Sequence, residues 1–247
     1  MKPDVTIVIP AFEEQDRLGT SLEKIVSYLR SSKIHAEIIV VDDGSNDETA
    51  ASAEVYLSSV DDIDTKVIRY EQNRGKGYAV KTGLLAAAAD IALFSDADLS
   101  TPIEEMPKLI DPIRSAEFDV TFGSRALDRS LIGTRQPWRR EQGGKLVNLM
   151  IRTLSGLDFT DTQCGFKAFN MTKYRPLLDL MTVDRFGFDV EFLFVANYHG
   201  LRLLEIPVRW NNVEGSKVSA IRDTRRMFNE LLQIRRNARR GVYNLNK

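Results

Sequence analysis

Two aspartates one residue apart, Asp96 and Asp98, follow the short apolar run Ile91-Ala-Leu-Phe-Ser95. The run reads as a buried strand. Side chains two apart on a strand point the same way, so the pair converges if strand geometry persists to its end. Carboxylates ~5 Å apart repel by about 3 kcal/mol at an effective dielectric of ~20, which invites a cation or a shared proton. With oxygen ligands alone and no His or Cys beside them, the cation expected is Mg²⁺ or Mn²⁺. Asp-x-Asp also occurs in ordinary solvated turns. This copy is set apart by its place at a strand's carboxyl end, where open α/β sheets bind ligands.

Two more acidic strand ends accompany it. Val5-Thr-Ile-Val-Ile-Pro10 is β-branched and apolar and runs into Ala11-Phe-Glu13-Glu14. Glu37-Ile-Ile-Val-Val41 runs into Asp42-Asp43-Gly44. Asp and Gly are turn residues in any protein, but parallel strands bring all these ends to one sheet edge. There a carboxylate can accept from a base N–H or a ribose hydroxyl. Asn73-Arg74-Gly75-Lys76-Gly77 opens a helix, and its basic side chains and glycines could approach phosphates at the helix N-terminus. Gly-Lys-Gly also suits any tight helix entry. No Gly-x-Gly-x-x-Gly follows the first strand and no Gly-x-x-x-x-Gly-Lys-Ser/Thr occurs, which disfavours dinucleotide and P-loop sites.

The elements that must hold these residues alternate. Helices are expected over Asp16–Arg30, where Leu18, Leu22, Ile25, Val26 and Leu29 recur at helical spacing, from Asn46 or Asp47 as cap to Leu57, and from the Asn73–Gly77 segment through Ala89. Lys66–Tyr70 supplies a third strand. The βαβ series implies an α/β class with a mostly parallel sheet and helices on both faces. Thr101 and Pro102 should start a helix to Arg114, and Asp119–Arg125 another strand.

The 247 residues carry a net charge of −1 and are 43% apolar and 28% charged, ordinary for a globular protein and unlike one that coats nucleic acid. A single cysteine, Cys164, excludes an internal disulfide and fits a reducing, cytoplasmic compartment. The N-terminal residues move straight into a strand, so no signal peptide is expected, and no run of ~18 apolar residues spans a bilayer.

The second half offers basic and buried groups. Arg125 ends a strand; its bland reading is a surface ion pair. Trp138, Arg139, Arg140 and Lys145 precede an apolar helix over Leu146–Leu154 and read as a core helix's flank or a headgroup contact. Asp161–Lys167 is a loop entering a strand, with Cys164 a small buried hydrophobe. Asp189 and Glu191 lie on an apolar helix, where a carboxylate needs a partner or a function. His35 and His199 read as connector and helix-end residues without chemistry. From Ser219 a helix carries Met227, Leu231, Ile234 and Ala238 on one stripe, widened by Phe228 and Leu232, among Arg222, Arg225, Arg226, Arg235, Arg236, Arg239 and Arg240. It can pack on the domain, contact a membrane surface, or both. No aromatic stacking platform accompanies the arginines, so no nucleic-acid partner is expected.

The segments Ile9-Pro-Ala-Phe-Glu-Glu14, Val40-Val-Asp-Asp-Gly-Ser-Asn-Asp47, Asn73-Arg-Gly-Lys-Gly77 and Asp96-Ala-Asp98, in that order and at that spacing, resemble the family 2 glycosyltransferases of glycosyltransferase-A fold. Asp161-Thr-Gln-Cys-Gly-Phe-Lys167, Phe188-Asp-Val-Glu-Phe-Leu193, Pro207-Val-Arg-Trp210 and Glu214-Gly-Ser-Lys-Val218 resemble the dolichyl-phosphate glucosyltransferase branch. Together they cover nearly the whole chain. The resemblance implies a catalytic domain over 1–217, with 1–125 for the nucleotide sugar and 126–217 for the acceptor, followed by a basic amphipathic helix over 218–247. It puts Pro10, Ala11, Glu13, Asp42, Asp43, Lys76, Asp96 and Ala97 on the donor, with Asp96 and Asp98 holding Mg²⁺ or Mn²⁺ at its diphosphate. Many relatives carry transmembrane helices and this sequence shows none, so attachment at the cytoplasmic membrane face would fall to amphipathic segments or a partner.

The implied reaction moves glucose from UDP-glucose to a polyprenyl phosphate with inversion. A phosphate monoester has its second pKa near ~6 and is already nucleophilic at pH 7, so no strong base is needed. Arg125, Arg139, Arg140 and Lys217 are the candidates for gripping that phosphate, and Asp161 for orienting the acceptor or acting as a weak base. Other readings are GDP-mannose as donor, a saccharide acceptor, or a catalytically silent membrane-binding partner of a larger assembly.

Overall fold

The structure is a computed structural model that describes residues 2–134, 138–213 and 220–245, the side chains of 138–146 and 220–224 apart. Its centre is a seven-stranded sheet in the order β3-β2-β1-β4-β6-β5-β7. The strands are β1 (Val5–Ala11), β2 (Ala36–Asp42), β3 (Asp64–Arg69), β4 (Ile91–Ser95), β5 (Val120–Ser124), β6 (Phe166–Asn170) and β7 (Leu203–Pro207). β1, β2 and β4 are almost wholly buried, as their unbroken apolar runs require of central parallel strands. Each strand's alternation splits the core in two. Val8, Ala92 and Phe94 pack into one layer; Val5, Ile7, Ile9, Ile91 and Leu93 pack into the other.

Helices α1 (Leu18–Ser32), α2 (Thr49–Leu57), α3 (Lys76–Ala86) and α4 (Met106–Arg114) link or cover these strands. The expected stripe of α1 is buried throughout. It stops at Lys33, in the left-handed region at φ 53°, whose N–H donates back to Arg30 O. The chain crosses from β1 to β2 on one side and returns to β4 on the other, all parallel. The carboxyl edge between β1 and β4 is therefore a topological switch point, where a crevice forms.

The second half departs from simple alternation. β6 runs antiparallel to both β4 and β5, whereas β7 is parallel to β5. α5 (Trp138–Ser155) starts eight residues before the apolar run that marks it in the sequence, and α6 (Met171–Leu178) is a short helix with Pro176 inside it that buries Met171, Tyr174, Leu177 and Leu178. Asn170 caps α6 by accepting from Thr172 N. Thr101 does not cap the helix after it. The chain enters α4 through a 3₁₀ turn at Ile103–Glu105 without a side-chain cap, and Thr101 Oγ1 lies 3.7 Å from Cys164 Sγ. α7 (Phe188–Tyr198) and α8 (Ala220–Arg239) complete the fold. Met227, Leu231 and Ile234 of α8 are buried in the layer that also holds Val8 and Phe94, against α5 and α7. Phe228 and Leu232 remain exposed. No helix among the described residues is long and apolar enough to cross a membrane.

Candidate active site

A cavity of about 360 Å³ opens at the switch point, within the size range of small-molecule sites. Pro10, Ala11, Asp43, Lys76, Asp96, Ala97 and Asp98 are among the residues that line it. The two aspartates arrive there by a route other than strand alternation. β4 ends at Ser95, and Asp96-Ala-Asp98 forms a turn closed by Leu99 N–H donating to Asp96 O. Leu99 sits at φ 48°, and Asp98 Oδ1 accepts from Ser100 N.

Asp96 is fixed from two sides. Its N–H donates to Gly165 O at 3.0 Å, and a Cβ added at Gly165 would stand 2.1 Å from Asp96 Oδ2. Glycine is the residue that lets the Asp161–Lys167 loop lie against that carboxylate. On the other side Lys76 Nζ is 2.5 Å from Asp96 Oδ1. Burial pulls the Lys76 pKa down, but Asp96 and Asp189 outweigh it and hold it above the usual lysine value.

Asp43 holds the loop before α3. Its carboxylate accepts from Arg74 N, Gly75 N and Asn73 Nδ2, which sets Lys76 at the first turn of the helix. Asp42 lies apart from this lining and is fully buried. Its carboxylate accepts from Ser45 N and Ser45 Oγ and faces Arg69, so it organises the β2–α2 loop. Glu13 is likewise outside the lining; its backbone takes φ 53° and its N–H donates to Ser45 Oγ.

Arg17, Arg185, Phe12 and Phe186 also line the cavity, and the sequence reading passed over them. Arg17 directly precedes α1 and Arg185 lies just before α7, so each reads as the charged start of a helix. Arg17 pairs with Glu14, and that bond first, with the charges of Asp98 and Asp96 after it, raises its pKa.

Arg125 and Asp161 form a two-pronged pair outside that lining. Arg125 Nε donates to Oδ2 at 2.7 Å and Nη2 to Oδ1 at 2.8 Å, the strongest geometry for this pairing. Burial pushes the Asp161 carboxyl up, but Arg125 overrides it and brings the pKa to about 2. A carboxylate held that low is a poor proton acceptor near pH 7. The group positions Arg125, whose guanidinium also lies 5.7 Å from the Trp210 ring centroid.

Behind the cavity, Lys167 is fully buried, and its ammonium donates to Cys164 O at 2.6 Å and to Asp189. Burial raises the Asp189 pKa despite Lys167 and Lys76. Glu191 accepts from Thr182 N, Val183 N and Tyr243 OH, pinning the loop before α7 and the C-terminal turn to one point. Burial pushes the Cys164 thiol up to about 11, which makes it inert. His35 O accepts from Asp4 N and His199 Nε2 lies 2.7 Å from Tyr243 O, both structural contacts. Arg139 and Arg140 fall on α5, where their side chains are outside the described residues, as is Lys217 altogether.

Asp96 and Asp98 suit a hard divalent cation. Both face one cavity with oxygen donors, and the Lys76 ammonium already stands as a cation against Asp96. Among the described residues no three acidic, His or Cys groups form a cage. Mg²⁺ characteristically binds through one or two carboxylates, with substrate phosphates and water completing its shell.

Comparison with known proteins agrees with this geometry. The model of glycosyl transferase family 2 matches residues 6–177. A dolichyl-phosphate beta-glucosyltransferase from Homo sapiens is 31% identical over 98% of this chain and 78% of its own. One from Trichomonas vaginalis is 34% identical over 96% of this chain and 72% of its own. Among solved structures, glucosyl-3-phosphoglycerate synthase from Mycobacterium tuberculosis, in complex with Mn²⁺, uridine-diphosphate-glucose and phosphoglyceric acid, superposes with a TM-score of 0.66 at 19% identity, covering 97% of this chain and 80% of that one. Mannosyl-3-phosphoglycerate synthase from Rubrobacter xylanophilus gives 0.67 at 19% identity, covering 99% and 77%. The chain belongs to glycosyl transferase family 2 and is a glycosyltransferase of glycosyltransferase-A fold.

Proposed function

We propose that this enzyme transfers glucose from UDP-glucose to a polyprenyl phosphate of the dolichyl type, with inversion at the anomeric carbon. The observation that carries the reading is one cavity at a sheet switch point that combines two carboxylates, Asp96 and Asp98, with the cations Lys76, Arg17 and Arg185. That mixture fits a nucleoside diphosphate accompanied by a divalent ion better than a neutral ligand. The acceptor class is supported by relatives named dolichyl-phosphate beta-glucosyltransferases, and the donor and ion by a structural neighbour holding Mn²⁺ and UDP-glucose.

Asp98 and Asp96 would hold the ion, which when bound stabilises charge on the departing diphosphate. Lys76, Arg17 and Arg185 add positive charge around the same phosphates. The acceptor's own dianionic phosphate attacks the sugar, so the chain supplies orientation instead of a base. Arg125, aimed by Asp161, together with Arg139, Arg140 and Lys217, is assigned to that phosphate, and Pro10, Ala11, Ala97 and Asp43 to the donor. The outer face of α8 supports peripheral attachment at a membrane surface, on its cytoplasmic side. There Arg225, Phe228, Leu232, Arg235 and Arg239 recur at helical spacing and are exposed.

The test is incubation with a panel of radiolabelled nucleotide sugars, polyprenyl phosphate and Mg²⁺ or Mn²⁺, followed by lipid extraction. Label from UDP-glucose in the lipid phase is expected. Label from GDP-mannose instead would replace the donor, and label confined to a saccharide acceptor would replace the acceptor.

A further inference from the structure

The ammonium of Lys76, 2.5 Å from Asp96 Oδ1, occupies the carboxylate that a divalent ion held by Asp96 and Asp98 would need. A divalent ion and an ammonium at the same oxygen repel, so one must yield. The backbone of Lys76 has little freedom to do so. It follows Gly75, at φ 117°, which packs so tightly that an added Cβ would come 2.4 Å from Asp184 O, and Asp43 holds the N–H groups just before it. The side chain is the mobile part: four methylenes ending in a cation. It has a second anion to turn to. Asp189 lies in the wall behind the cavity, already paired with Lys167 and still attractive to Lys76.

We propose that Lys76 is an exchangeable counter-ion. Without donor it neutralises Asp96. When a divalent cation engages Asp96 and Asp98 together with a nucleoside diphosphate, Lys76 releases the carboxylate, and the diphosphate and Asp189 then balance its charge. The inference rests on the reading of Asp96 and Asp98 as the cation's ligands and deepens it, because it sets the order of binding. Metal alone competes with Lys76, whereas metal and diphosphate together satisfy every charge. The coupling is reciprocal, so each ligand tightens the other by the same factor.

Mn²⁺ binding measured by the electron paramagnetic resonance of the free ion, with and without UDP, tests this on the full chain. In the parent, Mn²⁺ alone should bind weakly and UDP should strengthen it. Lys76→Gln should bind Mn²⁺ alone about tenfold tighter and lose most of the strengthening by UDP. Lys76→Arg, which keeps the charge, should behave as the parent. If the glutamine variant does not fold by circular dichroism, Lys76→Met supplies the same neutral test with a side chain of similar length. A neutral variant that binds Mn²⁺ alone no more tightly than the parent overturns the role of Lys76 while leaving the metal site standing. A parent that takes up no Mn²⁺ even with UDP overturns both.

Discussion

Asp96 and Asp161 both face a cation from a loop at the carboxyl edge of the sheet, and the two pairs differ in what they leave available. Asp96 is one-third exposed, on the cavity, and its charge is paired with the flexible ammonium of Lys76. Asp161 is 8% exposed and locked by a guanidinium fork and two backbone N–H groups, those of Arg125 and Gln163. The first pair can be exchanged for other charges; the second cannot without dismantling the loop. The loop after β4 thus keeps its carboxylates in reach of a ligand, and the loop before β6 spends its carboxylate on holding a cation in place.

The comparison breaks first if the exchangeable side proves dispensable. Asp98→Ala should lower metal-dependent transfer by about a thousandfold or more, since it removes one of the two carboxylates proposed to hold the ion where charge develops. The bond that Asp98 accepts from Ser100 N is local, so the melting temperature should hardly move. Transfer retained at the parental rate would strip Asp98 of its metal role.

The locked side is tested by Asp161→Asn, with an expected loss of about a hundredfold in kcat through a misaimed Arg125 and a KM for the donor within about twofold. A KM rise with kcat unchanged would instead place Asp161 in donor binding. The same variant has a pH signature. The folded pKa of Asp161 is depressed, to about 2, below the unfolded value of ~3.9. Its stabilisation is therefore full above about pH 4 and is lost as pH falls toward 2. Asp119, also depressed because Arg202 and Lys173 outweigh its burial, is common to both proteins. The gap in melting temperature between parent and variant should accordingly narrow between about pH 4 and pH 2. A constant gap would show that the pair does not stabilise through charge.

Gly165 joins the two regions, carrying the Asp161 loop against Asp96. Gly165→Ala places a methyl 2.1 Å from Asp96 Oδ2, and the carboxylate must move. Transfer should fall about ten- to a hundredfold, in parallel with the strength of Mn²⁺ binding in the presence of UDP. A loss of transfer without any change in Mn²⁺ binding would mean that the glycine acts on the acceptor side alone.

The first half of this architecture is legible in the sequence because β1, β2 and β4 are near-continuous apolar runs reaching Pro, Asp or Ser, and because Ala11 and Asp42 end β1 and β2 in register. That puts the loops after both on one edge. The direction of β6 is not legible: Phe166–Asn170 has the composition of a strand, and composition carries no information on which way it runs. α6 is hidden by its eight-residue length and Pro176. At the site, residue type was informative and partner choice was not. Asp42 looks identical to Asp43 in sequence, yet only Asp43 reaches the cavity wall, because Ser45 and Arg69 draw Asp42 inward. The sequence places Lys76 within reach of a phosphate and gives no sign of its pairing with Asp96. Arg17 and Arg185 left no signal of their own, since a charged residue before a helix is commonplace.

The smallest effect on the chemistry should come from α8, and its value lies in separating catalysis from attachment. The apolar stripe of α8 is spent on the core, where Met227, Leu231 and Ile234 are buried. Any membrane contact must therefore use the exposed residues flanking that stripe, among them Phe228, Leu232, Arg235 and Arg239. Each basic residue near an anionic leaflet contributes ~1 kcal/mol. Reversing two charges, in Arg235→Glu with Arg239→Glu, should weaken sedimentation with phosphatidylserine-containing vesicles by at least about tenfold. Transfer to a short, water-soluble polyprenyl phosphate should stay within about twofold, because neither arginine approaches the cavity lining. Should vesicle binding survive the double reversal, attachment must lie elsewhere, on α5 or on a partner, and the basic face of α8 becomes a solvated surface.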